Sequence, residues 1–240
     1  MSLKKLTKTN ALTLILMGVT AVTIAVTGIV YHQTFFRILP LFVSIVIAFL
    51  QSRVSRLAPL LGGINSILYA AVYFHYALYA SAAYAFLVSF PLQIITFLNW
   101  SKNPYGVSVR FRVMSTKGRI LSAVSFAVAW GLMYIGMSFT DSAYMLFDNT
   151  ATLFGIFITV LTMLAYIEYT WLMIPNCLIS VGMYIAMLAA SPEQITYLVF
   201  SVYSLICNTL AFVEARRLFA EQNASPRVNE NTTPKGACHD

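Results

Sequence analysis

Charged residues and enzyme-like motifs are scarce in this sequence, and their scarcity excludes several classes of protein. Only 10% of the 240 residues are charged, against about 25% in a typical soluble domain. The three histidines and three cysteines are not spaced as metal ligands, and no Glu-x-x-His motif or Gly-rich phosphate loop occurs. We therefore expect no enzyme activity, no metal, no cofactor and no built-in ATPase motor.

Long apolar segments dominate the chain instead. Hydrophobic residues make up 59% of it, and they form continuous runs rather than the alternating pattern of a transmembrane β-barrel. This composition predicts an all-α, polytopic bundle of helices in a lipid bilayer. We attribute the net charge of +7 to orientation in the membrane rather than to nucleic-acid binding.

About eight spans are predicted from the apolar segments. Pro40 falls near the start of the second span, and Pro91 and Pro175 are expected to loosen the fourth and seventh spans. The first span could instead lie along the membrane surface, and the polar tail from Glu221 onward is expected to be disordered. The predicted spans are roughly 11–31, 38–51, 59–76, 79–100, 120–139, 144–167, 170–188 and 194–215.

The basic residues predict the orientation of these spans. With both termini in the cytoplasm, 14 of the 15 Lys and Arg residues fall on the cytoplasmic side, and only Arg37 falls outside. One more or one fewer internal span would scatter them over both sides. We therefore predict a multi-pass protein of a bacterial inner membrane with cytoplasmic N- and C-termini.

Spans two to four and six to eight resemble each other, which predicts two parallel three-helix repeats joined by a linker helix. Asn65 and Gln93 in the first repeat correspond to Asn176 and Asn208 in the second. The predicted organisation is an N-terminal tail and helix (1–37), a first bundle (38–100), a cytoplasmic loop and linker helix (101–142), a second bundle (143–217) and a disordered tail (218–240).

Uncharged amides and aromatic rings inside the spans are candidates for a substrate site, because they suit a flat polar heterocycle that carries hydroxyls. The alternative is that they only hold helices together. Asp148 could select a cation or could be a solvated residue at a helix start, and Trp100 is interpreted as an interfacial belt residue. The candidate substrate-binding residues are Asn65, Tyr69, Gln93, Phe97, Asp148, Trp171, Asn176, Tyr184 and Asn208.

Parts of the sequence resemble the PnuC-type vitamin transporters. GGINSILYAAVYFHYALY followed by FPLQIITFLNWSK resembles the Gly-x-x-Asn…Tyr and Pro-x-Gln…Trp segments of that family. FDNTATLFGIFITVLTMLAYIEYTWLMIPNCLIS is similar to its second-half segment, and the resemblance extends over roughly residues 38–217. By motif match, the residues at the family's substrate-contacting positions are Asn65, Gln93, Trp171 and Asn176.

The resemblance implies a SWEET-like arrangement of three, one and three helices, and a homotrimer. It also implies facilitated uptake of nicotinamide riboside or, next, thiamine, with trapping by a cytoplasmic kinase. The sequence departs from the family pattern at Thr96, at Pro175, and at Tyr169 and Leu172, where the family usually has tryptophans. Without buried paired acids, a proton-coupled pump is not expected. The alternative function is a non-transporting membrane scaffold or sensor subunit.

Overall fold

The computed structural model describes residues 3–75, 82, 84–139 and 145–224. The prediction of an all-helical protein is confirmed, since eight α-helices account for most of these residues. The helices are α1 (Leu3–Val30), α2 (Phe35–Ser52), α3 (Leu57–His75), α4 (Phe90–Lys102), α5 (Thr116–Met137), α6 (Met145–Met163), α7 (Tyr169–Leu188) and α8 (Ile195–Ala224).

Five of the described helices are long and apolar enough to cross a membrane. They are α1, α2, α5, α7 and α8, whereas α3 and α6 contain shorter apolar stretches, Leu57–Val72 and Asn149–Met163. The predicted fourth span ends in α4, and its first part falls on residues outside the described ranges. The chain is therefore a multi-pass membrane protein.

Six helices form a closed ring. In the first triplet α2 packs against α3 and α3 against α4, and in the second triplet α6 packs against α7 and α7 against α8. The ring closes where α4 contacts α6 and where α8 contacts α2. Helix α1 packs outside the ring against α2 and α8, and α5 packs against α6. The predicted domain boundaries remain predictions, but each predicted bundle supplies one arc of this ring.

The two contacts that close the ring use a similar hydrogen bond. Trp100 at the end of α4 donates from its indole Nε1 to the carbonyl of Thr162 in α6, at 2.7 Å. Tyr203 in α8 donates from its hydroxyl to the carbonyl of Ile45 in α2, at 3.2 Å. Both aromatic side chains are buried. The last helix of each triplet is thus hydrogen-bonded to the first helix of the other triplet.

Three prolines affect the helices differently. Directly before Pro91, residues Ala85–Ser89 form a π-helical turn, an irregularity that agrees with the predicted loosening of this segment. Pro175 lies inside the continuous helix α7. Pro40 also lies in a helix interior, because α2 begins at Phe35, three residues earlier than the predicted span. A proline there leaves one backbone carbonyl of the preceding turn without its usual partner.

The loop after α4 is ordered by backbone contacts with several elements. A short antiparallel hairpin, β1 (Pro104–Tyr105) and β2 (Ser108–Val109), turns at Gly106, whose φ of +58° favours glycine. The amide of Arg56, in the loop between α2 and α3, donates to the carbonyl of Val107 at 3.0 Å. These contacts place the loop beside the end of α2.

The same loop also contacts the second triplet. Arg112 exchanges backbone hydrogen bonds with Ala165 and Ile167, in the connection between α6 and α7. Gln222 accepts from the amide of Phe111 at 3.0 Å and donates to the carbonyl of Val109 at 3.0 Å. Gln222 falls within the predicted disordered tail, but α8 continues to Ala224, so this part of the prediction is corrected. The contacts of Gln222 with the loop backbone stabilise this last turn of α8.

Candidate substrate cavity

Two adjoining cavities lie within the second triplet and at its border with the first. The larger has a volume of about 320 Å³ and is bordered mainly by α6, α7 and α8. The smaller, of about 70 Å³, extends towards α3 and α4. Four residues line both and form their common wall, namely Gln51, Ile158, Thr159 and Met173. We call the pair the central cavities.

Two asparagines give the larger cavity its polar character. Asn208, in α8, donates from its side-chain amide to Cys177 Sγ at 3.0 Å and to Ser204 Oγ at 3.4 Å. Asn176 lies on α7, one residue before Cys177. The side-chain oxygens of Asn176 and Asn208 are buried and have no hydrogen-bond partner within the described part of the chain. The hydrogen-bonding capacity of both amide oxygens is thus unused.

Aromatic side chains form another part of the larger cavity. Tyr184 and Phe200 line it, and the ring of Tyr184 stacks on that of Tyr197 with centroids 5.7 Å apart. Arg37 donates from Nε to the hydroxyl of Tyr197 at 3.4 Å, and its guanidinium lies 5.9 Å from the ring centroid. Arg37, the one basic residue predicted on the outer side, therefore contacts the ring that stacks on Tyr184.

Gln93 lines the smaller cavity, and glycines on α3 make room for it. A Cβ atom at Gly62 would lie 3.0 Å from Gln93 Oε1, and one at Gly63 would lie 2.9 Å from Ile94 Cδ1. Bare backbone at these positions lets α4 pack closely on α3. When the two repeats are aligned so that Asn65 corresponds to Asn176, Gly62 corresponds to Met173. The halves therefore differ here, because the second half has a methionine side chain that borders both cavities.

The described linings of the central cavities do not include Asn65, Tyr69, Phe97 or Asp148. Asn65 is buried and donates to Ser44 Oγ at 2.8 Å, a contact between α3 and α2 of the kind that holds membrane helices together. Tyr69 and Phe97 are half-buried on α3 and α4. Asp148 belongs to α6, but its side chain lies outside what the structure describes. The structure thus gathers Asn176, Tyr184 and Asn208 around one cavity and Gln93 around the next.

The described lining of the central cavities is uncharged. Neither Lys, Arg, Asp nor Glu occurs among the described residues that border either cavity. The lining consists of amides, hydroxyls, one thiol, aromatic rings and aliphatic groups. Such a surface can hydrogen-bond and stack a polar ring system, whereas a fully charged phosphate would lose its hydration without gaining a cationic partner.

The model of the family described as "Nicotinamide mononucleotide transporter" matches residues 34–209, which is most of the chain. The chain belongs to the nicotinamide mononucleotide transporter family. It is therefore a membrane transporter and not an enzyme, and the predicted alternative of a non-transporting scaffold is set aside. The predicted resemblance to PnuC-type transporters is confirmed.

A solved structure of this family has the same fold. The chain is similar to the protein in "Crystal structure of the Vitamin B3 transporter PnuC", with a TM-score of 0.71 and 18% identity. The similarity covers 88% of this chain and 91% of the other. No curated protein sequence matches the chain. At this identity the likeness establishes the fold.

Trp171 and Trp100 do not lie where the sequence predicted them. Trp171 is 48% exposed and lines a separate cavity beside α5, not the central cavities. Tyr169, at a position where the family usually has tryptophan, is buried and lines the smaller central cavity. Trp100 is 2% exposed, so its interpretation as a membrane-belt residue is wrong. Its indole is buried where α4 meets α6.

Sequence reasoning missed several residues that line this transporter's cavities. Gln51 is the most informative, because it lies at the end of α2 and borders both cavities. An uncharged amide within a membrane span was the signal used for Gln93, and it could have identified Gln51 as well. Ser180, Ser201 and Ser204 had no comparable signal, since serines are common between membrane helices.

Proposed function

We propose that this transporter takes up a nucleoside-like vitamin, nicotinamide riboside first and thiamine next, by facilitated diffusion through the central cavities. A cytoplasmic kinase would then trap the substrate by phosphorylation. Family membership supports the vitamin class, and so does the fold shared with a vitamin B3 transporter. The residues that line the cavities support the choice between a nucleoside and its nucleotide.

The uncharged lining is the observation that carries this proposal. A mononucleotide brings a phosphate group with it, and buried phosphates are bound by Arg, Lys or clusters of backbone amides. The described lining of both cavities offers none of these cations. Desolvating the phosphate would therefore be unfavourable, whereas a nucleoside loses only hydroxyl and amide hydration, which amides and serines can replace. This favours the riboside over the mononucleotide.

The polar and aromatic residues suggest separate roles in recognition. The buried acceptor oxygens of Asn176 and Asn208 suit the hydroxyl and carboxamide donors of a riboside. Nicotinamide riboside and thiamine each carry positive charge on an aromatic ring, and such rings are attracted to aromatic faces. Tyr184 and Phe200 supply those faces in the larger cavity, and Tyr169 supplies one in the smaller.

The contacts between the triplets support transport by rocking of one triplet against the other. The smaller cavity lies where the triplets meet and adjoins the larger one, so a change in the packing of the triplets would open one end and close the other. No carboxylate borders the described cavity walls, which supports facilitated diffusion over proton coupling. A homotrimer, suggested by the family resemblance, is part of the same proposal.

The positions of the basic loops support cytoplasmic termini. Arg56, the loop after α4 and the end of α8 lie together through backbone and Gln222 contacts. At another place, Gln33 donates to the carbonyl of Glu193 at 3.0 Å, so the start of α2 lies beside the start of α8. Most basic residues therefore belong to one end of the bundle, as expected for its cytoplasmic side.

Substrate binding to the purified protein tests the proposal. The full-length chain is titrated with nicotinamide riboside, nicotinamide mononucleotide, thiamine, riboflavin and deoxynucleosides, and uptake is followed in proteoliposomes. We expect saturable binding of the riboside, weaker binding of thiamine and little of the mononucleotide. Tighter binding of the mononucleotide would overturn the nucleoside assignment, and no binding of any compound would overturn the proposed function.

A matched pair of variants locates the site. Asn176→Leu removes a cavity acceptor, whereas Leu178→Ala alters an exposed residue of the same helix. We expect the first to abolish riboside binding while the protein stays monodisperse, and the second to bind as the unmodified chain does. Unchanged riboside binding by Asn176→Leu would contradict the placement of the substrate in the larger cavity.

A further inference from the structure

A third cavity lies beside α5, away from the proposed path of the substrate. Its volume is about 560 Å³, within the range of about 300–1,000 Å³ that is typical of ligand cavities. It is bordered by α5, by the second triplet and by the loop before α5, and it shares no lining residue with the central cavities. We call it the lateral cavity.

The apolar part of the lateral cavity is rich in aromatic rings. Phe126 of α5 packs edge-on against Phe154 and Phe157 of α6, with centroids 4.8 and 5.8 Å apart. All three rings line the cavity. A wall of this composition excludes well-hydrated solutes and accepts hydrocarbon. It lies within the apolar part of α5, which is long enough to cross a membrane.

The charged part of the same cavity contains Arg119, Glu168 and Arg216. Arg119 precedes Phe126 by seven residues on α5, which corresponds to about 10 Å along the helix axis. Arg119 and its partner Glu168 therefore lie near the start of α5, and Phe126 lies deeper along that helix. A cavity with a charged end and an apolar interior matches a molecule with a polar headgroup and a hydrocarbon chain.

Glu168 is incompletely paired. Its Oε1 accepts from the amide of Met114 at 3.0 Å and from Nε and Nη2 of Arg119 at 3.2 and 2.8 Å. The Glu168 side chain is only 10% exposed, and its Oε2 is buried without a hydrogen-bond partner among the described residues. A buried carboxylate oxygen without a partner is unfavourable. A donor from a bound molecule would remove this cost.

The arginines of this cavity keep donors available for a phosphate. Arg119 is 55% exposed even though it is paired with Glu168. Arg216 is exposed, with its guanidinium 5.4 Å from the ring centroid of Phe212. Two cations and one carboxylate together suit a headgroup that carries both a phosphate and a positively charged donor.

We propose that the lateral cavity binds a phospholipid of the phosphatidylethanolamine type. Its phosphate contacts Arg119 and Arg216, its ammonium donates to Glu168, and part of one acyl chain fills the space among the phenylalanines. A phosphatidylcholine would fit the phosphate and the chain, but its quaternary ammonium has no N–H group to offer Glu168. The lipid would hold α5 against the second triplet, and this site is independent of the substrate assignment.

Native mass spectrometry of the full-length protein tests this site. The protein is stripped of lipid in detergent and supplied in turn with phosphatidylethanolamine, phosphatidylcholine or phosphatidylglycerol. Because a charge-assisted hydrogen bond distinguishes the first two lipids, we expect about tenfold greater retention of phosphatidylethanolamine than of phosphatidylcholine. Equal retention of these two lipids, or tighter retention of phosphatidylglycerol, would overturn the proposal.

Three variants assign the effect to the cavity. Glu168→Gln keeps an acceptor for Met114 and Arg119 but removes the negative charge. Phosphatidylethanolamine and phosphatidylcholine should then be retained about equally. Ala123→Phe fills the lateral cavity, keeps the Arg119–Glu168 pair and should reduce retention of both lipids. Glu214→Gln, which affects a pair with Arg217 outside the cavity, should retain lipid as the unmodified chain does.

The main competing occupant is a second copy of the chain. In that case Ala123→Phe would lower the oligomeric mass, and no lipid would be retained by the unmodified assembly. That pair of results would overturn the lipid assignment in favour of a contact between subunits. Retained lipid that is lost in Ala123→Phe while the mass of the protein assembly is unchanged supports the lipid site.

Discussion

The indole of Trp100 lies against the backbone of Thr162, and its Nε1 donates to the Thr162 carbonyl at 2.7 Å. This bond joins the last helix of the first triplet to the first helix of the second. Tyr203 makes the corresponding contact to Ile45 where the ring closes on its other side. Both bonds end on backbone carbonyls, so they depend on helix position rather than on the identity of the partner side chain.

Replacing Trp100 by phenylalanine should weaken the contact between the triplets. The variant loses one hydrogen bond and part of a buried ring, and we expect destabilisation of about 1–2 kcal/mol. Thermal unfolding in detergent measures the change. Trp130→Phe is the matched control, because Trp130 donates within the α5–α6 contact to Thr150 rather than between triplets.

Both tryptophan variants should lose stability, but only Trp100→Phe should also alter the transport rate, since its bond lies where the triplets move relative to each other. Equal effects of the two variants on uptake, after correction for protein amount, would contradict a special role of the α4–α6 contact in transport.

Asn65 and Asn176 occupy corresponding positions in the two repeats but should respond differently to leucine. Asn176→Leu should abolish substrate binding with little change in unfolding temperature, because its oxygen has no described partner to lose. Asn65→Leu breaks the bond to Ser44, and it should lower stability by about 1 kcal/mol while binding persists. Calorimetric binding and thermal unfolding of the same preparations separate the two outcomes. A reversed pattern would place the substrate in the first half.

Gly62→Ala should reduce uptake without unfolding the protein. The added Cβ would lie 3.0 Å from Gln93 Oε1, so the Gln93 side chain must shift within the smaller cavity. Alanine is favoured over glycine inside a helix by about 1 kcal/mol, which offsets the cost of that shift. Uptake in proteoliposomes and thermal unfolding test the expectation of several-fold lower uptake at similar stability.

Gly131→Ala is the control for this change, because a Cβ at Gly131 meets no described atom within 4 Å. It should leave uptake unchanged. If both alanine variants lowered uptake equally, the effect would come from helix propensity rather than from Gln93.

Gln222 should protect the loop after α4 from proteolysis. Its side chain bonds to the backbone on both sides of Arg110, at Val109 and Phe111. Gln222→Ala removes both bonds, and we expect trypsin to cleave after Arg110 several times faster. Peptide mass mapping over time measures the rate. Glu221→Ala changes an exposed neighbour 3.7 Å from Arg217 and should leave the rate unaltered, whereas equal acceleration would assign the effect to the end of α8 as a whole.

The helical fold followed from local properties of the sequence. Runs of apolar residues give the helices, because a backbone in lipid must satisfy its own hydrogen bonds. The recurrence of Asn65 and Gln93 as Asn176 and Asn208 indicated two related halves, and the contacts place these halves as two arcs of one ring. The second span was predicted from roughly residue 38, three residues after α2 begins, because apolar content does not show where the first helical turn begins.

The cavity residues were only partly predictable. Asn176, Tyr184 and Asn208 are polar groups in apolar helices, and this contrast made them candidates. Trp171 has the same contrast, yet it lines the lateral cavity. The side of a membrane helix that faces the protein interior is hard to read from its composition, because lipid and the protein interior are equally apolar. That Gln51 and Tyr169 border the same cavity was decided only by the packing of α2, α4 and α7.

By itself the sequence determined that the chain is an all-helical membrane protein, where its helices lie, which motifs it shares with a transporter family and where positive charge accumulates. Each of these depends on residues that are close together in the chain. The tertiary structure alone decided that Trp100 is buried between the triplets, that Asn65 bonds to Ser44 and that the described walls of the central cavities are uncharged. Each of these depends on helices packing across long separations in sequence, where small residues such as Gly62 set the distance.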